Sequence, residues 1–319
     1  MSSQALRIVF MGTPDFAATS LRALIDGPDQ VVAVVTQPDR AKGRGKKRSP
    51  PPVKILAEEL QIPVLQPRDI RTRDFHNGLL TYQPDLLVVV AYGKMLPKNL
   101  LDLAPLGCIN VHGSLLPKYR GAAPVQWTVI NRDTEAGVTI IQMDEGLDTG
   151  GILLRASIRT DPGETSGSLF VKLADLGSRI LLEAVKGIKE GTLVPQPQEH
   201  GQASMAPMFK KADGYIDWRA SAEELEGRIR GLDPWPSAFC FWEKKRLRLF
   251  APEVVFQDAE AAPGTVIRAD KAGILVACGQ NCLLIHEIQP EGKSRMSAEA
   301  FVCGSRLSQG ASLADPQRS

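Results

Sequence analysis

The chain has 319 residues, 43% of them hydrophobic, which is enough for a core and more length than one typical domain uses, so two domains are expected. A formal net charge of +2 excludes a protein that is basic over its whole surface, so any surface for a polyanion must be local. The opening residues MSSQALRIVFMG lack the apolar stretch of a secretory signal, and no run approaches the roughly 18 apolar residues of a spanning helix, so a soluble, cytoplasmic protein without membrane contact is expected.

LRIVFM (6–11) is a short apolar run, and a helical pattern follows from Asp15 to about Ile25. VVAVVT (31–36) is β-branched, and after a long loop come VKILAEEL (53–60) and PVLQP. DLLVVVAY (85–92) and GCINV (107–111) read as strands, apolar throughout, and AAPVQWTVINRD (122–133) as a helix. Continuous apolar strands separated by helices predict a parallel sheet covered on both faces. The expected fold is α/β, a doubly wound and mostly parallel sheet of Rossmann-like type. GVTIIQMDE and GGILLRASI read as two more strands, and a long helix runs from about Ser166 to Glu190.

Residues 191–208, GTLVPQPQEHGQASMAPM, lose periodicity and read as a linker. Beyond it SAEELEGRIRGL is a helix, with Ser221 and Glu224 at capping-box spacing. AFCFWE, LRLFAPEVVF, GTVIRA, GILVAC and CLLIHEI are short β-like runs with turn signals between them, which predicts a small antiparallel barrel of OB-like type. The expected division is 1–190, a linker at 191–208, and 209–319. The tail SQGASLADPQRS reads as disordered. Cys108, Cys240, Cys278, Cys282 and Cys303 form an odd, scattered set, expected to be free thiols in a reducing compartment, and no metal site is expected. Trp127 is expected to pack its helix on the sheet, and Trp218, Trp235 and Trp242 to sit in the barrel core or in interdomain packing.

Ligands of open α/β sheets bind beyond the carboxyl ends of the strands. Asn110 and His112 lie where the GCINV strand runs out, and QMDEGLDTGG (142–151) places Asp148 in a Gly-rich loop between two strands. A carboxamide donates to a developing oxyanion, an imidazole donates or passes a proton, and a carboxylate stabilises a charged imidazole. Ser114 lacks the G-x-S-x-G setting of a nucleophile, so the attacking group is expected to belong to a substrate, as in direct acyl transfer. A structural histidine beside an asparagine turn fits the spacing equally well. Arg120 and Gly121 either shape the turn or face substrate. His76, His200 and His286 have no evident partners.

The loop QPDRAKGRGKKRSPPPVK (37–54) carries Arg40, Lys42, Arg44, Lys46, Lys47, Arg48 and Lys54 with no acid from Arg40 onward. It suits a phosphate backbone, or is an ordinary solvated loop. The same two readings hold for KKRLR (244–248), in a barrel region with as many acids as bases.

The strings INVHGSLLPKYRGAAPVQW and GVTIIQMDEGLDTGGIL resemble the formyltransferases that use 10-formyltetrahydrofolate. The resemblance implies that Asn110 and His112 stabilise the oxyanion formed when an amine attacks the N10-formyl carbon. It also implies that Asp148 organises His112 and a proton-shuttling water. Ser114, Leu115, Leu116 and Pro117 resemble the folate-binding loop, and AYGKMLPK (91–98), with Tyr92, Gly93 and Met95, a second wall of the pterin pocket, where backbone groups carry much of the recognition. RIVFMGTPDFAA, TQPDRAKGRGKK, PPVK and DPWPSAF are similar to the branch of that family acting on methionyl-tRNA, over about residues 6–303. G-x-G-x-x-G is absent, which argues against a dinucleotide enzyme. The resemblance implies initiator methionyl-tRNA as acceptor, with Arg40, Lys42, Arg44, Lys46, Lys47 and Arg48 on its acceptor arm, Arg44 at the end of the stem, and the C-terminal barrel on the other side. A monomer is expected. A small-amine formyltransferase, a formyl-folate hydrolase and a catalytically silent RNA-binding protein are the alternatives.

Overall fold

The computed structural model describes residues 4–42 and 47–313. The chain divides into two units: Met1–Pro124, Glu135–Arg159 and Phe170–Pro207 form one, and Val125–Thr134, Thr160–Leu169 and Met208–Ser319 the other. No helix among the described residues is long and apolar enough to cross a membrane.

The chain begins β1 (Arg7–Gly12), α1 (Asp15–Ile25), β2 (Gln30–Val35), then a hairpin of β3 (Arg40–Lys42) and β4 (Lys47–Ser49). It continues α2 (Pro52–Glu59), β5 (Val64–Leu65), α3 (Arg73–Leu80), β6 (Leu86–Val90), α4 (Lys98–Leu101) and β7 (Cys108–His112). Then follow α5 (Pro124–Ile130), β8 (Glu135–Gln142), β9 (Ile152–Arg159) and α6 (Ser166–Lys189). The sheet runs β5-β2-β1-β6-β7-β8-β9. Its first five strands are parallel; β8 runs antiparallel to β7, and β9 antiparallel to β8. The doubly wound, mostly parallel expectation holds. Every residue of β6 and β7 is buried, as their unbroken apolar runs require of central strands covered on both faces.

Alternation along β7 decides what faces the site. Cys108, Asn110 and His112 share one face, and Val111 points to the other. On that other face α6 comes in close at Gly177, where an added Cβ would lie 3.1 Å from Val111 Cγ1. On the first face Cys108 packs with Met11, Val35, Val89, Tyr92 and Leu96, and the apolar core gives way to Asn110 and His112 at the strand end. Burying aliphatic side chains of this kind contributes about 1.5–3 kcal/mol each, so the strand that carries the polar pair is held firmly.

In the second unit α7 (Ala222–Gly231) precedes β10 (Phe239–Trp242), β11 (Lys245–Val255), β12 (Val266–Asp270), β13 (Gly273–Ala277), β14 (Cys282–Pro290), β15 (Met296–Ser297) and α8 (Ala298–Gly304). The order β10-β11-β14-β13-β12, with β15 on β14, makes an antiparallel half-barrel. Helix α7 starts in the expected capping box: Ser221 Oγ accepts the Glu224 N–H at 3.2 Å, and the Glu224 carboxylate accepts the Ser221 N–H at 3.1 Å. Trp218 is buried in this core and donates to the Leu313 carbonyl at 3.2 Å, and Trp242 packs edge-on against Phe301.

Two expectations are corrected here, for Trp235 and for the tail. Trp235 is 47% exposed rather than core. Trp127 stacks on Phe209, with ring centroids 5.1 Å apart. The part of the tail among the described residues is held in place: the Leu313 N–H donates to the Gly264 carbonyl at 2.8 Å and its side chain is buried. The thiols are free: Cys108, Cys240, Cys278 and Cys282 are buried and Cys303 is exposed. Burial pushes the Cys240 thiol up to about 12.

Candidate active site

The carboxyl ends of β1, β2 and β6 converge on one carbonyl. Thr13, just past β1, donates its hydroxyl to the Tyr92 oxygen at 3.4 Å, and Gln37, past β2, donates its amide to the same oxygen at 3.2 Å. Strand β7 ends beside them in the sheet order, with Asn110 paired to Val89 of β6 and His112 to Thr139 of β8. The antiparallel return of β8 has a local consequence. Thr139 Oγ1 donates to the Ser114 carbonyl at 2.7 Å and accepts the Leu116 N–H at 3.0 Å, so the loop leaving His112 is bent back over the neighbouring strand.

That loop fixes the histidine. His112 is 5% exposed, and its Nε2 lies 2.9 Å from the Tyr119 carbonyl oxygen. A carbonyl only accepts, so Nε2 carries a hydrogen in both the neutral and the charged ring. Nδ1 is therefore the nitrogen that gains and loses a proton. It faces Asp148 Oδ2 at 3.6 Å, beyond hydrogen-bond length but within range of a charge pair.

Asp148 sits at φ 52°, a left-handed conformation that turns its carboxylate out of the β8–β9 loop. Its Oδ2 accepts the Gly121 N–H at 2.8 Å. That bond uses Oδ2, which leaves Oδ1 for a substrate or a water, and the Asn110 carboxamide lies on the same strand face as His112, 9% exposed. The other acids of the loop have different work. Asp144 knits the loop itself, accepting from Thr149 Oγ1 at 2.6 Å and from the Gly146 N–H at 3.0 Å, and Glu145 is exposed. The arrangement offers a carboxamide, an imidazole with one titrating nitrogen, and a carboxylate facing that nitrogen. Those are the parts needed to hold an oxyanion and move a proton. Among the described residues no group of three His, Cys, Asp or Glu side chains is placed to hold a metal.

The side chains singled out for the folate pocket turn mostly inward. Ser114 Oγ donates to the Lys118 carbonyl at 2.6 Å, Leu115 packs against Gly137 of β8, and Leu116 is buried with Ile141 and Ile152. Pro117 is half-buried and follows a cis bond. The Tyr92 ring lies in the core, and burial raises its hydroxyl to about 12. Gly93 and Met95 are exposed.

The basic loop is a hairpin. Arg40 pairs with Ser49 and Lys42 with Lys47, and Arg40 and Arg48 are exposed; Arg44 and Lys46 lie outside the described residues. Lys54 is not free for a phosphate. Its ammonium lies 3.0 Å from Asp39 Oδ1 and 3.1 Å from Gln66 Oε1, while Gln66 donates to Asp39 at 2.8 Å and to the Gln37 carbonyl at 2.9 Å. The Gln66 amide, then Lys54, holds the Asp39 carboxyl below its ordinary value. In the second unit KKRLR forms a β-hairpin arm, where Arg246 lies over the Phe239 ring at 4.6 Å and Arg248 donates to Gln289 at 3.1 Å.

Sequence reasoning missed Tyr119, Thr139 and Gln198. The first acts through a backbone carbonyl, the second reads as one more β-branched strand residue, and the third lies in the stretch taken for a linker. Gln198 is buried and donates to the carbonyls of Asp148 and Gly150, each at 2.8 Å. His200 and His286 have partners, Arg120 at 3.0 Å and Glu253 at 2.8 Å.

Comparison with known proteins identifies the family. The family described as formyl transferase matches residues 6–185, and the formyl transferase C-terminal domain matches 208–306. A methionyl-tRNA formyltransferase of Desulfotalea psychrophila is 64% identical over 304 residues, covering 95% of this chain and 94% of its own. Among solved structures, the sugar 3N-formyl transferase WlaRD, determined in the presence of dTDP and 5-N-formyl-THF, superposes with a TM-score of 0.66 at 15% identity, covering 91% of this chain and all of its own (100%). A methionyl-tRNA formyltransferase from Clostridium thermocellum gives a TM-score of 0.54 at 17% identity, over 78% of this chain and 94% of that one. These two likenesses concern the fold.

Proposed function

The chain belongs to the formyl transferase family, and from that premise we infer that it transfers the formyl group of 10-formyltetrahydrofolate to the α-amine of methionine on initiator methionyl-tRNA, for translation initiation. The observation that carries the chemistry is the buried His112 ring, with Nε2 committed to Tyr119 and Nδ1 turned toward Asp148. The near full-length identity to a methionyl-tRNA formyltransferase supports the acceptor.

The reaction forms one bond and breaks one. The amine nitrogen bonds to the formyl carbon, the bond from that carbon to N10 breaks, the amine gives up a proton and N10 receives one. Asn110, through its carboxamide N–H, and His112, through a protonated Nδ1, hold the negative charge that develops on the formyl oxygen. Asp148 keeps Nδ1 charged while the adduct lasts, and its uncommitted Oδ1 holds the water that carries the proton between nitrogens. The donor is a consumed co-substrate. Its pterin is assigned to the strand-end region of Tyr92, Gly93, Met95 and Ser114–Pro117, where, with the Ser114, Leu115 and Leu116 side chains turned inward, backbone groups do the recognition. The catalytic region is assigned to 1–190, with 191–208 leading to a tRNA-binding region at 209–319. Arg40, Lys42, Arg44, Lys46, Lys47 and Arg48 are assigned to the acceptor arm. On this reading the enzyme acts as a monomer in the cytoplasm, where charged tRNA is used.

The test is single-turnover transfer by His112→Ala with both substrates saturating. The expected loss of rate is about 10²–10⁴-fold with folding intact. A rate within twofold of the parent would remove His112 from the chemistry.

A further inference from the structure

We propose that Gln198, gripped by Arg120, is a positioning residue that sets the place of the Asp148 carboxylate, so that the stretch with linker composition completes the active site. This rests on the reading of Asp148 given above.

Gln198 is 5% exposed and its side-chain amide is fully committed. Its two N–H bonds go to the carbonyl oxygens of Asp148 and Gly150, each at 2.8 Å. Its Oε1 accepts from Arg120 Nε at 3.1 Å and from Nη2 at 2.6 Å. Those partners leave one orientation of the amide, because the oxygen cannot face carbonyls and the nitrogen cannot face a guanidinium. Asp148 is left-handed, which a non-glycine residue holds only when its surroundings impose it, and Gln198 grips the backbone on both sides of Thr149.

Arg120, 7% exposed, stands between the two contacts that define the site. The Tyr119 carbonyl before it accepts from His112 Nε2, and the Gly121 N–H after it donates to Asp148 Oδ2. The chain around Gln198 straps this turn in place: the Arg120 N–H donates to the Ser204 carbonyl at 2.8 Å, the Ala206 N–H to the Arg120 carbonyl at 2.7 Å, and the Tyr119 N–H to Ser204 Oγ at 2.9 Å. The result is a closed circuit from His112 through residues 119–121 to Asp148, and from Asp148 through Gln198 back to the Arg120 side chain. Moving any member changes the separation of His112 and Asp148.

The test is a double-mutant cycle on the full chain, reading kcat, KM for both substrates, and the pH profile of kcat. Gln198→Met keeps the length of the side chain and removes its donors; Asp148→Asn removes the charge. Gln198→Met alone is expected to lower kcat by about 10- to 100-fold with both KM values within about twofold, and to move the acid limb of the profile. In the Asp148→Asn background the same change is expected to cost less than about twofold, since the group it positions no longer works. Ser221→Ala, which removes the N-terminal cap of α7 in the other unit, serves as the control and leaves the profile in place. If Asp148→Asn lowers kcat but Gln198→Met does not, or if Gln198→Met costs the same factor in both backgrounds, the positioning role is overturned. If Asp148→Asn keeps the parental kcat, the reading of Asp148 itself falls. Should Gln198→Met not fold, Arg120→Lys, which loses the two-pronged grip on Oε1, carries the same cycle with the same criteria.

Discussion

His112 has one nitrogen to work with, and the reason lies seven residues further along the chain. The Tyr119 carbonyl holds Nε2, which fixes the tautomer and leaves Nδ1 for chemistry. The N-x-H spacing made Asn110 and His112 legible, since positions two apart on a strand share a face. The tautomer was not legible, because a backbone carbonyl leaves no mark on residue identity. Asn110 is buried at the strand end on the same face as His112, the position an oxyanion donor needs. Asn110→Ala is therefore expected to lower kcat by about 10²–10³-fold with little change in KM, measured in steady-state transfer. Gly121 makes a second prediction. It has φ 119°, and an added Cβ would sit 2.9 Å from the Ala206 carbonyl. Gly121→Ala must shift the N–H that holds Asp148, so both kcat and the melting temperature should fall. A melting temperature that falls with kcat unchanged would show that the Gly121 contact does not matter to the reaction.

At the scale of elements, the buried strands were read from their unbroken apolar runs, and α1 from its 3.6-residue period. Short or polar elements were not. Helices α3 and α8 have 8 and 7 residues, too few turns for a period to stand out, and the strands β3 and β4 are polar and basic with no apolar alternation. The 191–208 stretch defeated pattern reading for a related reason. Its attachments are backbone bonds and the scattered polar side chains of Gln198, His200 and Ser204, which need no periodic pattern. The hairpin carries a prediction at this scale. Asp39, at its foot, is held below the ordinary value of 3.8 by Gln66 first and Lys54 second. A depressed folded-state value means the clamp contributes fully above the unfolded-state value and is lost as pH falls through the folded one. Gln66→Leu should raise the Asp39 titration midpoint toward 3.8, followed by carboxyl carbon NMR. An unmoved midpoint would show that Gln66 does not hold the carboxylate.

For the whole molecule, a net charge of +2 hides a local concentration of cations, and locality is what phosphate binding needs. The exposed Arg40 and Arg48 flank the hairpin while Lys54 is committed to Asp39. Arg44→Ala should weaken tRNA binding and lower the slope of log affinity against log salt by about 1, leaving KM for the folate donor unchanged. Equal slopes for variant and parent would remove Arg44 from the RNA contact. The central claim joins the strand-end site to that hairpin in one reaction, and the direct measurement is formyl transfer from 10-formyltetrahydrofolate to charged initiator methionyl-tRNA, beside methionyl elongator tRNA, free methionine and a dTDP-amino sugar. The account predicts product on initiator methionyl-tRNA and none on the free amino acid or the sugar. Formyl-folate consumed with no formylated tRNA would contradict it and make the protein a hydrolase or a small-amine transferase.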